Sequence, residues 1–246
     1  MESNNPVLAR GLQKSGSDDL SHDRMSLEGT VNKTGFLLAL AGAAAAYPWS
    51  LVHAQNANAL GIPMWGGMIG GFILALAISF RPHWAPLAAP AYALCEGLLL
   101  GAISAMFNVQ YPGIALQAML GTFGVLGVML LIYRTGMIAV NERFRIGMMA
   151  ATGGIAFLYI ASMILGFFGI QIPGIFGNGL VGIGFSVVVV CVAALNLVLD
   201  FDLIARGARQ GAPKYMEWFG AFALMVTLVW LYLEMLRLIS KLRSRD

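Results

Sequence analysis

Residues 180–200 read LVGIGFSVVVVCVAALNLVLD. From Leu180 to Leu199 there is no charged side chain, and then comes Asp200. A run of about 20 apolar residues is what a helix needs to cross a hydrocarbon core about 30 Å thick. A buried strand would be far shorter. This stretch therefore reads as a transmembrane helix with a polar face, Asn196–Asp200, at its end. Working outward, six further runs have crossing length: Thr34–His53, Ile62–Phe80, Leu87–Phe107, Gly113–Tyr133, Ile146–Phe168 and Trp218–Leu236. The segments between them are short, so neighbouring helices should pack antiparallel. Pro48 should kink the first run, because it removes one backbone hydrogen bond.

Composition agrees. The chain is 59% hydrophobic and 11% charged, with mean hydropathy +0.77. A soluble domain carries about a quarter charged residues. The reading is an all-α membrane protein organised as a polar, mobile cytoplasmic tail over 1–33, a seven-helix transmembrane domain over 34–238 and a short basic tail over 239–246. The net charge of +3 needs no partner beyond anionic lipid and gives no case for nucleic acid. Cys95 and Cys191 fall mid-span and read as small buried apolar side chains. His22, His53 and His83 are too scattered for a zinc site, and no nucleophile motif or phosphate loop is present. The expectation is no enzyme, no cofactor and no resident metal.

Basic residues set the orientation. Arg10, Lys14, Arg24 and Lys33 precede the first run, and Arg81, then Arg134, Arg143 and Arg145, then Arg206, Arg209 and Lys214 fall in alternate loops. This pattern places the N-terminus in the cytoplasm. Arg237, Lys241, Arg243 and Arg245 break it. Either the last run crosses in spite of its charge, or it is re-entrant and both termini are cytoplasmic; seven crossings are favoured. Gly66/Gly70, Gly67/Gly71 and Gly97/Gly101 are spaced four apart and predict close helix contacts within the chain. Trp49, Trp65, Trp84 and Tyr133 read as interfacial anchors.

The candidate functional residues are the acids. An ionised carboxylate in hydrocarbon costs several kcal/mol or more, so Glu96, Asp200 and Glu234 must face a bundle interior, a partner or water. Glu96 sits near the midplane of the third run with no basic residue one turn away. Asp200 could be an ordinary helix-end residue, and Glu234 could pair with Arg237 three residues on. Gln117 reads as a helix–helix hydrogen bond.

The segments Ala93-Leu94-Cys95-Glu96-Gly97, Asp200-Phe201-Asp202-Leu203-Ile204 and Leu231-Tyr232-Leu233-Glu234 carry a resemblance to the Bax inhibitor-1 (transmembrane Bax inhibitor motif) family. Asn5-Pro6-Val7-Leu8, Tyr111-Pro112-Gly113 and Gly211-Ala212-Pro213-Lys214-Tyr215-Met216-Glu217-Trp218 look like its bacterial branch. The resemblance spans nearly the whole chain. It implies six helices around a central C-terminal one and a pH-sensitive calcium leak. It also implies that two acids, one after the sixth span and one in the seventh, share a proton and gate the path. Asp200 matches the first position. Glu234 matches the second, with Glu in place of the family's Asp, and Glu217 is the alternative partner on depth.

Two carboxylates close together in low dielectric cannot both ionise easily. Protonated, they can hold two helices together; ionised, they repel and offer oxygens to a hard cation such as Ca²⁺. The leading expectation is therefore a pH-regulated Ca²⁺ leak channel whose ion pathway and pH sensor are Asp200, Glu234, Glu96 and Asn196. The alternatives are a proton-coupled small-solute transporter, or a non-conducting protein that binds and regulates other integral membrane proteins.

Overall fold

A computed structural model describes residues 24–54, 57–169 and 174–244. Among them are seven helices long and apolar enough to cross a membrane. They are α1 (Leu27–His53), α2 (Gly61–Phe80), α3 (Ala85–Gln110), α4 (Ile114–Arg134), α5 (Glu142–Phe167), α6 (Leu180–Arg209) and α7 (Met216–Arg243). The protein is an integral multi-pass membrane protein.

Local chemistry fixes the ends. Ser26 caps α1, its hydroxyl accepting from the Gly29 N–H at 3.0 Å. Asn141 caps α5 by accepting from the Phe144 N–H at 2.8 Å. Such caps satisfy amide donors that a helix start otherwise leaves orphaned. The turn into α4 passes through Gly113 at φ 82°, and the turn between α6 and α7 through Gly211 at φ 67°, conformations that L side chains resist.

α7 is the central helix, with the largest buried share of any span, and it packs on α1, α3, α4 and α6. α2 lies against the outside of α3. α5 packs chiefly on α6. Gly97 and Gly101 of α3 lie directly on Ala41, Ala44 and Ala45 of α1, so these two helices run parallel with backbones in contact. Gly67 sits on the Cys95 carbonyl and Leu99 of α3, and Gly70 on the Cys95 sulfur. Three apolar clusters fill the interior. One, including Leu37, Ala89, Tyr92 and Met225, joins α1, α3 and α7; a second, including Leu197, Phe201, Leu228 and Leu231, joins α6 and α7; a third pairs Ile114 and Ala118 with Leu236.

Several elements differ from the sequence expectation. α1 begins at Leu27, so residues 27–33 extend the first span instead of belonging to the polar tail; Ser26 supplies the cap that hydropathy does not register. Residues 1–23 of that tail lie outside the described residues. α6 runs on to Arg209, which puts Asp200 about 14 Å inside its C-terminal end, not at it. α7 continues to Arg243, taking in most of the basic tail. Cys191 is exposed on the outer face of α6, opposite the buried Val189 and Ala193, and Cys95 is half-buried. α1 continues as one helix through the buried Pro48.

Three of the C-terminal cations that break the charge pattern, Arg237, Lys241 and Arg243, are held by the protein itself; Arg245 lies outside the described residues. Lys241, only 4% exposed, donates to the Gly182 carbonyl and the Ser186 hydroxyl, both at 2.9 Å. Arg243 donates to the Pro112 carbonyl at 2.8 Å and to the Gln117 side chain at 2.9 Å. Arg237 pairs with Glu234. With these bonds made, α7 runs the full length of the bundle from the Glu217 end to the Arg243 end.

Candidate functional site

The acids sit at successive levels around α7. At its start, Glu217 is completely buried. Its carboxylate accepts from the Ser26 N–H and hydroxyl, both at 2.8 Å, and forms ion pairs with Lys33 and, at 3.1 Å, with Lys214. Gly29 leaves the space for it: a Cβ there would overlap the carboxylate. Lys33 also lies over the Trp218 ring, 5.4 Å from its centroid. This cluster ties the start of α1 to the start of α7. Met25 adds to it, hydrogen-bonding the Ala212 carbonyl through its N–H at 2.7 Å while its sulfur covers Gly207.

Asp200 faces α7 about two fifths of the way along, beside Thr227. Its Oδ2 is buried and has no hydrogen-bond partner. Among the described residues no cation reaches it. The Thr227 hydroxyl donates to the Ala223 carbonyl at 3.3 Å, which leaves its oxygen free to accept. Two residues on, Asp202 is held by Arg145 of α5 at 3.2 Å and by Arg206 one turn later in α6. One turn before Asp200, Asn196 donates to the Thr152 hydroxyl of α5 and to the Val192 carbonyl, both at 2.9 Å.

Glu234 lies near the other end and is 2% exposed. Its Oε1 accepts from the Tyr159 hydroxyl at 2.9 Å and from Arg237 at 2.7 Å, and Arg237 also donates to the Tyr159 oxygen at 2.6 Å. The guanidinium stacks over the Tyr159 ring, which in turn packs against Phe176 and Phe185. Glu234 Oε2 has no partner. Glu96 is buried between α3 and Gly71 of α2, with Tyr92 one turn earlier beside it, and its Oε2 is likewise unpartnered.

The structure does not bring Asp200 together with either proposed partner. Thr227, the α7 residue at its level, is about 15 Å along the axis from Glu217 and about 10 Å from Glu234. Glu217 is fully engaged with α1, and Glu234 with Arg237 and Tyr159. The expected Glu234–Arg237 pair forms, joined by a tyrosine from α5. Asp200, half-buried, and Glu96, buried, are the acids inside the bundle left without a cation among the described residues. Among the described residues no three acidic, histidine or cysteine side chains converge on a point where a metal could sit.

Sequence reading missed Thr227, Tyr159, Arg145 and Lys33 as partners. One signal was available. Arg145, Thr152 and Tyr159 recur every seven residues, which places them on one helical face.

A separate cavity of about 630 Å³ opens between α1 and α4, backed by α3 and α7. Its lining includes Gly97, Gly101, Leu116 and Leu228, with Ser104 and Tyr232 bonded to each other at 2.6 Å. No charged side chain lines it.

Residues 5–244 match the model of the family described as Bax inhibitor 1 like. Neither a curated protein nor a solved structure matches the chain.

Proposed function

The chain belongs to the Bax inhibitor 1 like family, and we propose that it is a pH-regulated cation leak, with Ca²⁺ as the permeant ion, in a bacterial inner membrane with its N-terminus in the cytoplasm. The observation that carries this reading is Asp200: a half-buried residue inside a transmembrane helix, packed on the central helix, with one buried, unpartnered oxygen and no countercharge among the described residues. Such a group is stable in low dielectric only as the neutral acid or in contact with water or a cation.

Protonated, Asp200 fits the closed bundle, because its O–H can donate to the Thr227 oxygen. Ionised, it can only accept, from the Thr227 hydroxyl, and the rest of its charge must be hydrated. Hydration loosens the packing around Asp200 and gives a passing Ca²⁺ an oxygen ligand. The sign follows: flux should rise as pH rises through the titration of Asp200. Gating then rests on one acid and a threonine, in place of the acid pair that the family resemblance implies.

The test is Ca²⁺ flux into proteoliposomes between pH 5 and 8 for the wild type and Asp200→Asn. Asn cannot ionise and mimics the protonated acid, so the variant should show low flux at every pH. Equal pH dependence in the two proteins would remove Asp200 from the sensor role. No flux above empty liposomes at any pH would remove the leak itself.

A further inference from the structure

We propose that the cation route runs along the seam between α5 and the α6–α7 pair, and that outward displacement of α5 opens it. The inference rests on the leak reading above and adds a path and a moving part to it.

The inward face of α5 is Arg145, Met148, Thr152, Ile155 and Tyr159, at alternating steps of three and four residues. That is one helical stripe about 21 Å long, most of a hydrocarbon core. Its polar members each reach across the seam. Arg145 pairs with Asp202 at 3.2 Å, Thr152 accepts from Asn196 at 2.9 Å, and Tyr159 donates to Glu234 at 2.9 Å. Asp200 lies one turn from Asn196. The buried, unpartnered oxygens of Asp200 and Glu234 are therefore on or beside this line, and both call for water. Between the polar steps, the buried side chains of Met148 and Ile155 act as apolar plugs. At each end an arginine, Arg145 or Arg237, occupies the carboxylate that a cation would otherwise meet.

The seam is also the one most easily parted. α5 has the smallest buried share of the seven spans, 11%, and packs chiefly on α6. Its glycines Gly147, Gly153 and Gly154 have open space where a side chain would go, so no backbone is pressed against them. By contrast, α1 and α2 are locked onto α3 through Gly97, Gly101 and Gly67. The cavity between α1 and α4 has room but no charged lining, so a cation there would lose its hydration without a ligand.

The experiment uses full-length protein with Cys95→Ala and Cys191→Ala. In this background Ile155→Cys and Phe157→Cys are compared for reaction with a charged, membrane-impermeant thiosulfonate in proteoliposomes at the pH of highest flux. Phe157 is on the outer face of the same helix, 70% exposed to lipid. We expect Ile155→Cys to label at least tenfold faster. Equal rates would mean a dry seam whose polar pairs only glue helices together, and would overturn the inference. In a second arm, Thr152→Cys with Asn196→Cys is cross-linked. Ca²⁺ flux should fall to the empty-liposome level and return on reduction; undiminished flux in the cross-linked protein would also overturn it. The two readings fail separately. Absence of flux in the wild type defeats the leak, while labelling at position 155 still decides whether water enters the seam.

Discussion

Replacing Gly97 by Ala tests the packing that holds the immobile half of the bundle. A Cβ built on Gly97 would stand 2.7 Å from the Ala44 Cβ and 2.9 Å from the Ala41 carbonyl carbon, and closer still to the Ala41 oxygen. Carbon atoms pack at about 3.5–4.0 Å, so α1 must retreat by roughly an ångström. The obstacle is backbone, so no side-chain rotation relieves it. A gap of 0.5–1 Å forfeits about a quarter to a half of each contact's attraction, and α1–α3 is the most extensive helix pair in the protein. Overpacking of this kind costs about 1–3 kcal/mol. The control is Gly66→Ala, one turn from Gly70 on α2, where a Cβ meets nothing within 4 Å. There the change gains from zero to about 1 kcal/mol of helix propensity. Gly97→Ala gains the same propensity, so the two substitutions should differ by the overpacking cost alone, about 1–3 kcal/mol, or roughly 2–12 °C in Tm for a chain of this size, with Gly97→Ala the less stable. The assay is thermal unfolding in detergent, followed by the loss of the monodisperse peak in size-exclusion chromatography. If Gly97→Ala melts with Gly66→Ala, the close α1–α3 contact does not exist and the contrast drawn between a locked α3 and a loose α5 falls with it.

Two further outcomes follow from the buried charges. Glu217→Gln keeps the shape but removes the charge that Lys33 and Lys214 face; with both lysines partly exposed, the loss should lie below the 3–5 kcal/mol or so typical of a broken fully buried pair, and trypsin should cut after Arg24 faster than in the wild type. Lys241→Met leaves the Gly182 carbonyl and Ser186 hydroxyl without their donor, which should cost about 1–3 kcal/mol; a Tm equal to the wild type would mean that α7 is not fastened to the start of α6.

Most of the fold is legible in the chain. Hydropathy alone marks the seven spans, because hydrocarbon tolerates no unsatisfied backbone and demands long apolar helices. It cannot mark where a helix ends once polar residues resume, since a helix continues as long as its backbone bonds are made. So α1 takes in Thr30 and Lys33, and α6 carries Asp200 and Asp202 well inside its length. The charge rule is blind to the surroundings of the C-terminal cations for a related reason. It counts residues that water must solvate, and Lys241 is solvated by Gly182 and Ser186 instead.

The candidate site divides in the same way. One-dimensional spacing identifies Glu96, Asp200 and Glu234 as costly residues, and it correctly pairs Glu234 with Arg237, which is a local relation on one helix. Partners from distant segments obey no spacing. That Asp200 meets Thr227, that Glu217 is consumed by Ser26 and Lys33, and that Tyr159 joins Glu234 to Arg237 depend on the rotation and offset of packed helices. The close glycine contacts and the path of α7 through the centre set that offset. The sequence by itself determined that this is a seven-helix membrane protein with acids it must shelter. Only the tertiary structure decided which acid is left without a partner, because the register between helices far apart in the chain is set by packing, not by the order of residues along any one of them.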